Sequence, residues 1–418
     1  MRRSRVLADE TFANCLEGVR VLDFSRFESG PTCTQTLAWL GASVVKAEAG
    51  RGGDPGRAIG RKGADPYGAW FQEYNSNKQS IALNLRSTRG IELARALAAE
   101  ADVVVENFAP GRMEEMGLGY DSLVAVNPGL VFAEIKGFGP GSAYEKYLAF
   151  DGVGQATGGV MSVTGEPGGR PIRAGLNIAD SGSGMLMVTS ILGALNRKAR
   201  TGQGARLRLS MQDAVMHFLR GAFASQLSTG SPPKRAGSGG VSVANVPSDT
   251  YLCSPEGPND FIFIYTRSTS SEHWHRLLHL IGRPELIGDP RLETAAARVA
   301  NVDEVNAMIT AWTRTLTKQQ AMQALGDAQI PAGPVLDTRD LLADNSFAER
   351  GLFQDVAHPS IEDLRVQTWP VEVDDRLVRV LPAPLLGEHT EVVLRDWLAL
   401  SDAEIAGLIS DGIATQAL

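Results

Sequence analysis

Along the first half of the chain, short β-branched runs alternate with stretches of helical periodicity. Gly18 to Ser25 (GVRVLDFS), Ser43 to Ala49 (SVVKAEA), Ser80 to Leu85 (SIALNL), Asp102 to Phe108 (DVVVENF) and Leu130 to Lys136 (LVFAEIK) are apolar and bounded by turn residues, which predicts strands. Between them, Pro31 to Leu40 reads as a helix, and so does Thr88 to Glu100, where Ile91, Ala94, Leu97 and Ala98 share one face. Such alternation predicts an α/β fold with a doubly wound parallel sheet.

The pattern changes further on. Gly184 to Asn196 (GMLMVTSILGALN) is apolar nearly all round and predicts a buried helix, followed by a strand at Ala205 to Leu209 and a helix at Met211 to Gln226. Ser228 to Gly240 (STGSPPKRAGSGG) reads as a linker. A strand at Phe261 to Thr266 and helices near 270–281, 302–315 and 317–328 predict a smaller α+β domain over 245–330. The remaining tail holds a strand around Leu364 to Val373, the turn PAPLLGEHT and two final helices.

Length and composition narrow the class. At 418 residues with 43% hydrophobic content, the chain is long for a single compact domain and favours two. A net charge of −8 argues against nucleic acid or an anionic membrane as partner. Cys15, Cys33 and Cys253 are scattered, as expected of a reducing, cytoplasmic compartment. The N-terminal MRRSRVLADETFANC lacks the apolar core of a secretory signal, and no stretch reads as an uninterrupted membrane span.

Common cofactor motifs are absent. No G-x-G-x-x-G follows the first strand, and neither a Walker loop nor a G-x-S-x-G elbow occurs. Gly152, Gly154 and Gly158 are spaced as G-x-G-x-x-x-G but open no βαβ unit. His273, His275 and His279 cluster on an expected helix without a third ligand type in register, so no metal is expected and the imidazoles are read as exposed. Lys46, Arg51, Arg57, Arg61 and Lys62 gather in and after the second strand, at the sheet end where open α/β folds bind ligands, which makes them phosphate candidates or a solvated basic loop.

The most informative run is PIRAGLNIADSGSGMLMVTSILGALNRK. Asp180 ends an extended stretch before Ser-Gly-Ser-Gly and the apolar helix, which fits an N-cap. It equally fits a nucleophile, because a helix N-terminus keeps a carboxylate ionised. Glycines at 182 and 184 leave room for an acyl group, and backbone N–H groups there suit an oxyanion.

Taken together, LEGVRVLDFSRFESGPTCTQTLAWLGASVVKAE, NKQSIALNLRS, DVVVENFAPGRMEEMGLGY, IADSGSGM, RKARTGQGARLRLSMQDAV and PLLGEHT resemble the family III CoA-transferases (the CaiB/BaiF family, which includes formyl-CoA:oxalate CoA-transferases). The segments keep the family's order from residue 16 to about 390, nearly the whole chain. The resemblance implies a large Rossmann-like domain built from both chain ends, the smaller α+β domain, and an interlocked homodimer. The division then runs 1–225 for the N-terminal part of the large CoA-binding domain and 226–244 for linker and glycine loop. The small domain takes 245–330, and 331–418 returns to the large one. It also implies acyl-CoA and an organic acid as substrates, with no permanently bound cofactor. The family's aspartate falls on Asp180, which attacks the donor thioester to give a mixed anhydride and then an aspartyl-CoA thioester.

Other positions carry over singly. Glu28 stands where oxalate-type members have a glutamine beside the acyl group, and Asp151 matches an acidic position near the reacting centre. Ser29, Leu83, Arg86, Asn107, Phe108 and Met211 match CoA-site positions, with Ser29 offering its backbone N–H and Arg86 suited to a phosphate. Two arginines of relatives are Ala49 and Glu115 here, with Arg51 and Arg112 close by as substitutes. Leu148 and Phe150 replace a lysine and a tyrosine, implying a more apolar acyl pocket that favours a larger acid than oxalate. Succinyl-CoA is a candidate donor, with Arg173 or Arg220 for its distal carboxylate. Ala236 to Gly240 (AGSGG), including Gly239 and Gly240, resembles the glycine loop that covers intermediates. Two alternatives stay open: an α-methylacyl-CoA racemase or epimerase, disfavoured because Gly141-Ser142-Ala143-Tyr144 lacks the expected histidine, and a non-catalytic subunit of a heteromer with a paralogous chain.

Overall fold

The computed structural model describes residues 15–60, 67–239 and 245–417. The chain forms two compact units: a large one from the described residues up to Gly158, Gly175–His217 and Ser346 onward, and a second from Gly159–Ala174 and Phe218–Asn345. Segment 159–174, expected in the large domain, thus belongs to the second unit, which also extends past residue 330.

In the large unit, strands β1 (Arg20–Asp23), β2 (Ser43–Ala49), β3 (Gln79–Leu83), β4 (Val103–Glu106), β5 (Val131–Lys136) and β6 (Ala205–Ser210) run parallel. Their spatial order is β3-β2-β1-β4-β5-β6. This is the doubly wound order, with its topological switch between β1 and β4. The runs Val103–Val105 and Val131–Ala133 are buried throughout because helices cover both faces. One face packs Leu22, Val45, Ile81, Val104 and Phe132 into a core with the helices Thr88–Ala99, Thr390–Leu398 and Asp402–Ser410. The other carries helices Ser29–Trp39 and Ile178–Thr201.

In the second unit, β7 (Ser248–Leu252), β8 (Phe261–Tyr265) and β9 (Ala332–Pro334) form an antiparallel sheet. It is sealed by Trp274, Leu277, Ile309 and Leu325. The expected strand at 364–373 shrinks to β11 (Arg365–Gln367), paired in the large unit with β10 (Phe353–Asp355). A final short strand, β12 (Ala414–Thr415), adds antiparallel to β3. The helix expected from 211 to 226 is two, Met211–Phe218 and Arg220–Thr229, and the second takes Ser228 and Thr229 out of the expected linker.

The apolar helix is longer than its pattern indicated. It begins at Ile178, six residues before the expected start, and runs to Thr201. By length and composition alone it would suffice to cross a membrane, contrary to the expectation from sequence. Its buried face, with Met187, Val188 and Ile191, lies in the large unit against helix Ser29–Trp39 and strands β5 and β6, as a core helix does.

Two expected ligand groups have structural roles instead. Lys46 is fully enclosed, 3.0 Å from Asp54 and bonded to the Ser25 carbonyl at 2.7 Å. Arg57, 4% exposed, makes a two-pronged bond to Glu48 at 2.6 and 2.8 Å and lies over the Phe71 ring. Neither cation is available to a phosphate, because buried carboxylates already hold both. Arg51 is exposed, while Arg61 and Lys62 lie outside the described residues.

The glycine and histidine candidates resolve similarly. A Cβ on Gly154 would stand 2.7 Å from Ala179 Cβ, and one on Gly158 would stand 2.5 Å from Val215 Cβ, so these glycines serve close packing rather than phosphate approach. His273 is buried rather than exposed, and His275 Nε2 meets Glu293 at 2.8 Å. No metal-binding group of His, Cys, Asp or Glu occurs among the described residues.

Candidate active site

The site forms at the C-terminal ends of β1 and β4, the switch-point crevice. After β1 the chain runs through Ser25 and Arg26 to Phe27, whose φ of +62° lies in the left-handed region unusual for a bulky side chain. That turn ends at Glu28, and helix Ser29–Trp39 begins next. From β4, Asn107 locks the turn: its Oδ1 accepts from Arg26 N–H at 2.7 Å, while its amide donates to Arg26 O at 2.8 Å and Ser29 Oγ at 3.0 Å.

Asp180 stands in the first turn of helix Ile178–Thr201, partly exposed. It is not the N-cap; Asn177 is, with no side-chain cap bond of its own. Asp151 performs that service from the helix Asp151–Thr157: its Oδ1 accepts from Ala179 N–H at 2.9 Å and more weakly from Asp180 N–H at 3.4 Å. Its Oδ2 accepts from Gln155 at 2.8 Å. The cap therefore comes from a carboxylate distant in sequence, so no local pattern marks the helix start at Ile178.

Glycines 182 and 184 are buried within the helix rather than open to an acyl group. A Cβ on Gly184 would lie 2.6 Å from Ser29 O and 2.8 Å from Thr32 Cβ, so the glycine lets two helices touch at the site. Gly184→Ala is expected to lower stability by about 1–3 kcal/mol through overpacking and to slow turnover, read from urea unfolding and initial rates. Unchanged stability and rate would refute this packing role.

Glu28 is 2% exposed, with three donors directed at it. Asn177 Nδ2 reaches Oε2 at 2.6 Å, Ser181 Oγ reaches Oε1 at 2.7 Å, and the Tyr74 hydroxyl adds a third bond. Burial pushes the Glu28 carboxyl above its ordinary range, although the Ser181, Asn177 and Tyr74 bonds pull it back; nearby Asp151 adds to the rise. The Tyr74 phenol is pushed up by burial, then by Glu28, with Glu73 and Asp180 contributing. Tyr74 and Gln155 carried no sequence signal, and Asn177 and Ser181 lay in the informative run without being singled out, since each matters only through its partner.

A cationic and aromatic patch adjoins the crevice. Arg26 lies 4.5 Å above the Phe108 ring, and burial followed by the neighbouring Arg112 lowers its pKa against the pull of Asp54 and Glu48. Arg112 itself is exposed and paired with Glu115 at 2.9 Å. Lys136 binds Glu106 at 2.6 Å and the Phe108 carbonyl at 2.9 Å. Burial lifts the Glu106 carboxyl to about 7 even against Lys136. Arg26 and Lys136 were not anticipated from sequence.

Of the remaining expected residues, Arg86 is exposed after β3, and Met211, buried, starts its helix beneath Gly154. The Leu83 side chain is sealed in the core, so only its backbone faces the sheet end. Gly239 lies in the second unit, and Gly240 lies outside the described residues. An apolar lip flanks Asp151: Phe150 packs edge-on to Phe27 at 5.8 Å and is 65% exposed, with Leu148 and Leu176 also exposed.

A doubly wound α/β protein with a partly exposed carboxylate on a helix start, beside the switch-point crevice, has the layout of an α/β enzyme that binds a small molecule at the strand ends. The particular family follows from comparison. The model of CoA-transferase family III matches residues 16–390, and the chain belongs to that family: it is a CoA-transferase, an enzyme class that uses CoA thioesters as substrates. A formyl-CoA:oxalate CoA-transferase of Streptomyces coelicolor is 39% identical over 412 residues, covering 96% of this chain and 99% of the relative. One from Streptomyces avermitilis is 38% identical over 409 residues, covering 95% and 99%. A CaiB/BaiF family protein from Brucella suis matches in structure with a TM-score of 0.81 at 32% identity, over 91% of this chain and 98% of that one.

Proposed function

We propose that this enzyme moves CoA from an acyl-CoA thioester, succinyl-CoA among the candidates, to a free carboxylic acid through covalent intermediates on Asp180. The observation that carries this reading is the placement of Asp180: partly exposed, on a helix start held by Asp151, at the switch-point crevice. An Asp180 carboxylate oxygen attacks the thioester carbonyl, the C–S bond breaks, and CoA thiolate leaves an acyl-aspartyl anhydride. The thiolate attacks Asp180 Cγ, releasing the donor acid and forming an aspartyl-CoA thioester. The acceptor carboxylate then displaces the thiolate at Cγ to give a second anhydride. Thiolate attack on the acceptor acyl carbon finally yields the new thioester and regenerates Asp180.

The first N–H groups of helix Ser29–Trp39 suit the developing oxyanion. Arg26 over Phe108, with Arg112, provides charge and a ring face for the nucleotide end of CoA, and exposed Arg51 and Arg86 suit its phosphates. We read the working form as an interlocked homodimer in the cytoplasm, in keeping with three free thiols. Trapping with hydroxylamine during turnover should convert Asp180 to a hydroxamate, identified by peptide mass; brisk turnover with no label there would refute the mechanism.

The acceptor follows from the surroundings. Glu28 and Asp151 place two further carboxylates beside Asp180, which disfavours a small dianion, while Phe27, Phe150 and Leu148 offer apolar area. An aryl-substituted or branched acid is therefore expected to exceed oxalate in kcat/KM by about tenfold or more. Phe150→Ala should reduce that preference. A panel of acids with mass spectrometry of the thioester products decides it, and oxalate as the best acceptor would reject this substrate class.

A further inference from the structure

Glu28 precedes helix Ser29–Trp39 and Asn177 precedes helix Ile178–Thr201 as their N-caps, yet neither side chain caps its own helix. Instead the two cap side chains bond each other at 2.6 Å. Asp151 caps the second helix in place of Asn177, but helix Ser29–Trp39 has no side-chain cap, which costs a helix about 1 kcal/mol, so the diverted Glu28 side chain serves another purpose. The second Glu28 oxygen takes the Ser181 hydroxyl at 2.7 Å. Asp180 therefore sits between two residues tied to one carboxylate. Tyr74 secures that carboxylate from helix Ala69–Asn75, and the left-handed turn at Phe27 leads directly into Glu28.

We propose that Glu28 is a positioning residue, whose carboxylate fixes the turn bearing Asp180 by holding Asn177 and Ser181 on either side, and that it exchanges no proton with substrate during turnover. This rests on Asp180 being the nucleophile. The titratable groups that face Glu28 are Tyr74, Asp151 and, beyond Tyr74, Asp180. With its oxygens committed to three donors, Glu28 has little capacity left for a reacting acid. Its value lies in geometry, since displacing a reacting atom by ~1 Å can cost on the order of a hundredfold in rate.

The conservative variant separates this role from proton transfer. In Glu28→Gln, the amide oxygen can accept from Asn177 while its NH2 donates to the Ser181 hydroxyl, so the brace survives without the charge. With the apolar acid that wild type prefers as acceptor, Glu28→Gln is expected to keep kcat within about threefold of wild type, the lost charge showing only with a small dianion, whereas Glu28→Ala lowers kcat by about thirtyfold or more with KM for the acyl-CoA nearly unchanged. Hydrogen exchange of the amides at 178–181 should quicken in Glu28→Ala and not in Glu28→Gln. That measurement reads the brace even if no transfer is found, an outcome that would overturn the proposed function and not the brace. Should Glu28→Ala fail to fold, Asn177→Ala combined with Ser181→Ala removes the same two bonds from the other side, with the same expected loss of kcat. A Glu28→Gln enzyme as slow as Glu28→Ala, or a wild-type kcat in the Asn177/Ser181 double variant, would overturn the proposal.

Discussion

Asp180→Ala is expected to reduce CoA transfer by about ten-thousandfold or more while leaving affinity for the acyl-CoA within a few-fold of wild type. The separation is expected because the turn is held by side chains other than that of Asp180. Asp151 holds the backbone N–H groups of Ala179 and Asp180, and Glu28 holds the side chains of Asn177 and Ser181. The variant thus deletes the proposed nucleophile while these bonds to the turn remain. The cationic and aromatic patch around Arg26 and Phe108 lies on other elements and is untouched. Steady-state rates measure the first quantity and calorimetric titration with a thioester measures the second. Transfer at near wild-type rate would remove the aspartate from the chemistry. Loss of binding in parallel with loss of rate would show that Asp180 supports the pocket instead.

The largest stability effect is expected at Asp23. Three anions, Asp23, Glu48 and Asp54, and three cations, Lys46, Arg57 and Lys78, are buried together under the site. Asp23 accepts from Ser25 N–H at 2.8 Å, Thr34 Oγ1 at 2.7 Å and Lys78 Nζ at 3.1 Å. Asp23→Ala leaves Lys78 hydrogen-bonded only to neutral acceptors, Asn75 Oδ1 and the Pro31 carbonyl, with Asp54 still acting on its charge but making no bond to it. A buried charge that loses its direct partner in this way costs about 3–5 kcal/mol. Adding Lys78→Met should recover part of that loss, since the remaining partner no longer needs neutralising. Urea unfolding of the two variants tests this, and a double variant no more stable than Asp23→Ala would contradict it.

The same group sets an acid limit. Burial opposes its charge, but Lys78, Lys46, Ser25 and Thr34 outweigh burial and hold the Asp23 carboxyl at about 2 against an ordinary 3.8. Because the folded value is the lower one, the stabilisation is fully present above the unfolded value and is lost as pH falls from about 4 to about 2. Burial, partly offset by Asp23, brings the Lys78 ammonium down to about 8, so the pairing itself weakens as pH rises above that value.

The strands were legible because a parallel sheet covered on both faces must be written in β-branched residues: Val103–Val105 and Val131–Ala133 admit no other reading. The matched segments marked the family for the same chain, since their order is fixed along the sequence. What composition and periodicity could not show is which polar groups become partners. Lys46 and Arg57 had the appearance of free cations and are internal counter-ions, because folding brings β1, β2 and β3 side by side and encloses their charges. Gly184 looked like space for a ligand and is the contact point of two helices. Asp180 looked like a cap and is itself capped by Asp151.

By itself, then, the sequence determined the alternation of elements and the family, and it singled out Asp180 as the proposed nucleophile, since these are written in local patterns and their order. Only the tertiary structure decided how that residue is held. Hydrogen bonds and ion pairs between groups far apart along the chain depend on distances of about 3 Å that no local pattern encodes. Glu28 and Ser181, 153 residues apart, meet only after both helices have docked on the same face of the sheet.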